Sequence, residues 1–250
     1  MRGNVTITKR TDGRPKPWVI RWVEDDGRQR KEHRRTKVEA ETRRAELIAS
    51  DVRGDYVSPG AGAVTVGTFG EPWMVGRAAA LKPKSAESAW SLWRRIDARW
   101  GTVRLDAIRP SQVQAWVAAL GTEGLSASRT RQCIHQLGAV LDAAVRDGLI
   151  ARNPARGTTL PKVRTAREHR YLTHDELDNL AAACGPHEAL ILLLGTTGMR
   201  WGEAVGLQVG AVDMLRRRIH VRSALSEVGG RLIEVAPKSH QARHVAVAPF

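Results

Sequence analysis

The stretch from Leu190 to Asp213, LILLLGTTGMRWGEAVGLQVGAVD, constrains this chain more than any other. Its apolar run, Leu190 to Leu194, ends at Gly195-Thr196-Thr197-Gly198, where glycine can take the positive φ that stops a helix. A second helix is predicted to start near Arg200. On it Arg200 and Glu203, three residues apart, share a face, and the carboxylate can brace the guanidinium. Ala204 and Leu207 continue the turn below them, anchoring the helix in a core while the arginine faces a cleft.

A lone R-x-x-E reads better as an ordinary surface ion pair on an amphipathic helix. The longer spacing separates the two readings. T-G-x-R-x-G-E-x-x-x-L followed by Asp213 resembles the first arginine box of the tyrosine recombinases, the family of phage integrases and Xer-type resolvases. The chemistry of that family explains the residue type. Strand transfer puts charge on the nonbridging oxygens of a pentacoordinate phosphate, and a planar guanidinium can hold two of them at once, where lysine holds one.

Charge is the second constraint. The 250 residues hold 40 Lys and Arg against 26 Asp and Glu, a net charge of +14, which points to a polyanionic partner with nucleic acid foremost. Residues 1–64 hold 15 basic and 10 acidic side chains, 65–165 hold 15 and 7, and 166–250 hold 10 and 9. Almost all of the excess therefore precedes the arginine box, as expected if the first two segments grip DNA backbone and the third does chemistry. Cys133 and Cys184 are isolated, and the eight histidines show no ligand spacing, so neither a disulfide framework nor a metal site is expected. No apolar run reaches membrane-spanning length, and the basic N-terminus lacks the apolar segment of a signal peptide. The expected location is the cytoplasm, associated with DNA.

In chain order, residues 4–10 alternate as a strand, Trp18 to Val23 form a second, Asp25-Asp26-Gly27 a turn, and Arg28 to Arg35 a third strand. Lys37 to Arg53 reads as a helix burying Ala40, Leu47, Ile48 and Val52. This layout resembles the arm-binding domain of phage integrases, and the resemblance makes Arg21, Arg28, Arg30, Lys31, Arg34 and Arg35 the DNA contacts; a solvated basic hairpin is the plainer reading. Residues 57–64, rich in small residues with Pro and Gly, read as a linker.

A helical segment follows over 65–157. Phe69, Trp73 and Val75 open it, and Trp90, Trp93, Ile96 and Trp100 recur at three- and four-residue steps, a spacing that reads as core. Later helices are predicted over Pro110 to Leu120, after an Arg109-Pro110-Ser111 start signal, and over Ser128 to Asp147, with Asn153-Pro154 ending the domain. Four helices on short loops resemble the core-binding domain of the same family. By that resemblance Lys84, Ser85, Arg129 and Arg131, near helix starts, are candidates for phosphate contacts. Residues 158–170 form a second basic linker able to cross a DNA backbone, so that the domains close around a duplex as a clamp. Thr173 with Glu176 then caps a helix.

Beyond the arginine box, Arg218 to Arg222, Arg231 to Val235 and Arg243 to Val247 read as three strands of one antiparallel sheet, the first turn being Val228-Gly229-Gly230. Lys238 lies between the second and third, where the family places its mobile catalytic lysine, and P-K-S-x-x-x-R-x-V fits the pattern there. The resemblance makes Lys238 a general acid for the departing 5′ oxygen; the plainer reading is an exposed turn lysine. His240-Gln241-Ala242-Arg243 spells the family's H-x-x-R but stands too close to Lys238, and is read as coincidence. Tyr56 and Tyr171 precede Arg200 in the chain and are read as packing residues. Without a second arginine box or a nucleophilic tyrosine, the chain is expected to bind DNA without cleaving it.

The resemblance as a whole implies a multidomain α+β protein. Residues 1–56 are an arm-type DNA-binding domain, 57–64 and 158–170 linkers, 65–157 a four-helix, SAM-like core-binding domain, and 171–250 the first part of a mixed α/β catalytic domain of the DNA breaking-rejoining type. The implied function is site-specific recombination at attachment sites through a 3′-phosphotyrosyl intermediate. It would proceed without cofactor, by a homotetramer on double-stranded DNA, with host or phage DNA-bending factors as further partners. A non-catalytic DNA-binding regulator or recombination antagonist is the alternative, although such a protein has no use for Arg200, Glu203 and Lys238 together. A type IB topoisomerase is disfavoured by the basic N-terminal sheet.

Overall fold

The computed structural model describes residues 5–163, 170–237 and 241–247. They fall into two units, 5–79 with 89–163, and 80–88 with 170–247.

The first unit opens with an antiparallel sheet, β1 (Thr6–Lys9), β2 (Trp18–Val23) and β3 (Gln29–Arg34), in that spatial order. Helix α1 (Lys37–Arg53) packs on one face. Side chains alternate across a strand, so Ile20 and Trp22 point toward α1 and join Val5, Ala40 and Leu47 in a core flanked by Ile7, Trp18 and Tyr56. The register places Glu32 opposite Ile20, Arg34 opposite Trp18 and Arg30 opposite Trp22, which puts all three on this helix-facing side. Arg21 lies opposite both Thr6 and Lys31 on the other face, where Arg21 and Lys31 are exposed although Val19 beside them is buried. The predicted helical stripe is too wide: Ala40 and Leu47 are buried, whereas Ile48 and Val52 are 45% and 82% exposed. A three-stranded sheet covers only a narrow stripe, and Arg43, reaching Glu32 at 3.1 Å, occupies its margin.

The segment 57–64, expected as a linker, makes hydrogen bonds with the elements around it. Arg30 donates to Ser58 Oγ at 2.9 Å, Ala61–Ala63 form a 3₁₀ turn, and the backbone pairs Leu105 N with Val64 O and Val66 N with Val103 O. Its backbone polar groups found protein partners, which composition alone does not reveal.

Helices α2 (Val66–Ala79), α3 (Pro83–Trp100), α4 (Pro110–Thr122) and α5 (Ala127–Arg146) follow. Trp93, Ile96, Trp100, Trp116, Leu137 and Leu141 fill their core, and Trp100 meets Trp116 edge-on at 5.9 Å between ring centroids. Val75 is 57% exposed, because the buried stripe of α2 runs through Val66, Gly70 and Met74. Asn153 closes this part of the unit: its Nδ2 donates to Gly138 O at 2.9 Å and to Asp142 at 2.7 Å on α5.

In the second unit, α6 (His174–Ala183) begins with the predicted capping box: Thr173 Oγ1 accepts from Glu176 N and Glu176 accepts from Thr173 N at 2.9 Å. Thr173→Ala should therefore cost about 1 kcal/mol locally, read as a roughly fivefold loss of hydrogen-exchange protection in the first turn of α6. Then come α7 (Glu188–Thr197), α8 (Trp201–Val205), β4 (Val212–Asp213), β5 (Arg218–Val221), β6 (Ala224–Val228), β7 (Arg231–Val235) and β8 (Arg243–Ala246).

The expected single sheet is two: β4-β5-β8 and the hairpin β6-β7. Both edges of β5 are taken, by β4 and by β8, which leaves β7 to pair with β6, a strand not among the three expected. Tyr171, expected to pack, is 85% exposed. Met199, Ala204, Ile219 and Val221 form the core, bordered by the half-buried Leu190, Leu193 and Leu194 of α7.

Candidate functional site

Helix α7 stops at Gly198, whose φ of 61° is the left-handed conformation glycine adopts without penalty, and Gly198 N closes back on Leu194 O at 3.1 Å. Two residues later the chain is extended at Arg200, the N-cap of α8. A side chain at Gly202 would put its Cβ 2.5 Å from Leu225 O, so glycine is what lets α8 lie directly against β6. The apolar run, the stop and the close approach together fix where Arg200 stands.

Glu203 is the centre of this site. It is 2% exposed and accepts from Arg200 twice, from the backbone N–H at 3.0 Å and from the guanidinium at 3.2 Å. Arg243, the first residue of β8, grips it with two bonds, at 2.9 and 2.6 Å. The hydrogen bonds from Arg243 outweigh the opposing effect of burial, and with those from Arg200 they hold the Glu203 carboxyl down at about 2. Two guanidiniums on one carboxylate leave a net positive charge. Arg200 carries its share outward, with its side chain 54% exposed and one of its five N–H donors in use among the described residues. Such a group can take two oxygens of an oxyanion. A cleft of about 260 Å³ borders Glu203 and is lined by His220, Arg222 and Ser223; His220 stacks on His244 at 4.3 Å.

Lys238 lies outside the described residues. Asp213 sits on β4 and pairs with Arg216 at 3.2 Å. The six basic residues of the N-terminal sheet separate into groups. Arg21 and Lys31 are exposed on the face away from α1, Arg35 is exposed before α1, and Arg28 pairs with Asp26 at the turn. Arg34 pairs with Glu32 at 2.5 Å, and Arg30 with the buried Glu24 at 3.0 Å. Burial opposes the charge on Glu24, but hydrogen bonds from Ser58, Arg30 and Tyr56 keep its carboxyl below the usual range. Tyr56 accepts from Trp22 Nε1 at 2.7 Å and donates to Glu24, and burial is the main cause that pushes its hydroxyl up to about 12. Lys84 pairs with Glu87, Ser85 is exposed, Arg129 bonds Ser91 and Gln132, and Arg131 donates to Pro161 O at 3.4 Å.

The residue missed from sequence is Arg243. Its signal was present in the R-x-V alternation after Lys238, but nothing local shows that a strand residue 40 positions away reaches Glu203.

No protein-family profile matches the chain. It is 30% identical over 192 residues to the integrase of Mycobacterium phage L5, an alignment covering 76% of this chain and 50% of that protein. It is 25% identical over 133 residues to a XerC-like tyrosine recombinase of Caldanaerobacter subterraneus, covering 50% and 34%. The chain is a homologue of the phage integrases and tyrosine recombinases. Its fold agrees. The integrase of transposon Tn1549, solved with circular-intermediate DNA, superposes with a TM-score of 0.65 at 21% identity over 74% of this chain and 61% of that one. A lambda integrase tetramer on a Holliday junction gives 0.56 at 18% over 94% and 70%.

This integrase homologue is thus a mixed α/β chain of helices and small antiparallel sheets like those neighbours. It spans about half the length of the curated relatives it matches. Among the described residues no helix is long and apolar enough to cross a membrane, and no three His, Cys, Asp or Glu are placed to hold a metal ion.

Proposed function

We propose that this chain is the DNA-gripping and phosphate-activating part of a phage-type site-specific recombinase. The observation that carries the reading is a half-exposed Arg200 at a helix start, held by a buried carboxylate that a second arginine also neutralises. In this reading residues 1–56 grip arm-type DNA through the exposed basic side chains on the sheet face away from α1, with Arg21 and Lys31 central and Arg35 beside them. The helices of 65–157 grip core DNA, with Lys84, Ser85, Arg129 and Arg131 against phosphates, and residues 171–250 begin the catalytic domain.

Arg200 stabilises charge on the nonbridging oxygens of the scissile phosphate. Lys238 protonates the departing 5′ oxygen, because an ammonium carries the proton at neutral pH. The attacking oxygen belongs to a tyrosine, and the resulting 3′-phosphotyrosyl ester keeps the bond energy for religation. Tyr56 does not fill that role: its hydroxyl is committed to Trp22 and Glu24 and is harder to ionise than a free tyrosine. The working assembly is a homotetramer on two duplexes, assisted by DNA-bending factors, in the cytoplasm.

The test is a gel-shift titration of the 250-residue chain against attachment-site duplexes, followed by suicide substrates that trap covalent adducts. Binding without an adduct is expected. Arg21→Ala with Lys31→Ala should weaken arm-site binding about tenfold or more and lower the salt slope by about two. Absence of any DNA binding would refute the reading. An adduct would place the nucleophile at Tyr56 or Tyr171.

A further inference from the structure

Arg200 and Arg243 compete for one carboxylate, and the competition is unequal. Arg243 spans both oxygens of Glu203 at 2.9 and 2.6 Å, whereas the Arg200 guanidinium reaches one oxygen at 3.2 Å. A buried carboxylate strongly favours whatever cation neutralises it. With Arg243 in place that demand is met from β8, and Arg200 keeps four N–H donors and most of its charge for another anion. Without Arg243, Glu203 would have to be neutralised by Arg200 alone, drawing the guanidinium inward and cancelling its charge.

We propose that Arg243 is a positioning residue: by neutralising Glu203 from β8 it keeps Arg200 charged, outward and available to a DNA phosphate. The same pair ties β8 to the arginine site.

The inference rests on the reading of Arg200 as a phosphate ligand, and the test separates the two. The chain is titrated against a fluorescently labelled attachment-site duplex over a range of salt concentrations, with thermal melts as the folding control. Arg200→Ala should weaken binding about tenfold and lower the salt slope by about one. Arg243→Ala should do the same, and the double variant should be no worse than Arg200→Ala alone, because both remove one contact.

Adding Glu203→Gln to Arg243→Ala should restore binding to within about twofold, since the competing charge is gone; a merely structural role would not be rescued that way. If Arg243→Ala fails to fold, Arg243→Lys takes its place, keeping the charge but holding one oxygen, with partial loss and the same rescue expected. Loss in Arg200→Ala but none in the Arg243 variants overturns the inference and leaves the phosphate-ligand reading standing. Additive losses would mean that Arg243 touches DNA itself and also overturn it. No loss in Arg200→Ala overturns both.

Discussion

Glu203→Ala should destabilise the second unit by about 3 kcal/mol, the lower end of what breaking a buried ion pair costs, because Arg200 and Arg243 are exposed enough to recover hydration. It removes acceptors for two side chains and for the Arg200 N–H that caps α8. Acid titration probes the same carboxylate. The carboxyl has an ordinary value of 4.5 and a folded value of about 2. A depressed carboxylate contributes stability that is fully present above pH 4.5 and is lost as pH falls toward 2, here about 3 kcal/mol. Urea denaturation at a series of pH values should show the parent protein losing stability steeply across that window and Glu203→Ala losing correspondingly less. Equal slopes in the two proteins would refute this account of Glu203.

Trp100→Ala should destabilise the first unit by about 3–5 kcal/mol. The ring is 0% exposed, meets Trp116 edge-on with an interplanar angle of 86°, and has the Arg99 guanidinium 4.4 Å from its centroid. Its truncation leaves a cavity between α3 and α4 that the rigid surroundings cannot fill. Trp100→Phe should cost far less, about 1–2 kcal/mol, because the indole N–H has no hydrogen-bond partner among the described residues and losing it removes no bond. Chemical denaturation of both variants checks the ordering, and a phenylalanine variant as unstable as the alanine variant would sink it.

Local rules made much of the chain readable. The helix Lys37–Arg53 is bounded by Thr36 and Gly54, and α6 opens on a Thr173–Glu176 box, because capping satisfies backbone groups within four residues. The tryptophan spacing marks the core of the first unit for the same reason: periodicity and burial are set along one helix. Where the reading failed, the deciding contact was remote. Ile48 and Val52 belong to a helical stripe that the small sheet does not cover, and the strand order β4-β5-β8 depends on which edges are already occupied.

The sequence by itself determined that a guanidinium stands at a helix start with an acid three residues on, because an N-cap residue and the third residue of the helix meet across its first turn. Only the tertiary structure decided how that acid is shared. Arg243 is 40 residues from Glu203 in the chain, and the antiparallel pairing of β5 with β8 carries it to the buried carboxylate. Likewise the alternation of β2 and β3 announced basic side chains. The packing of α1 on one face then assigned Arg30 and Arg34 to internal ion pairs and left Arg21 and Lys31 facing out. A pattern of residues fixes what each side chain can do, while the choice of face and partner waits on which surfaces the fold has already buried.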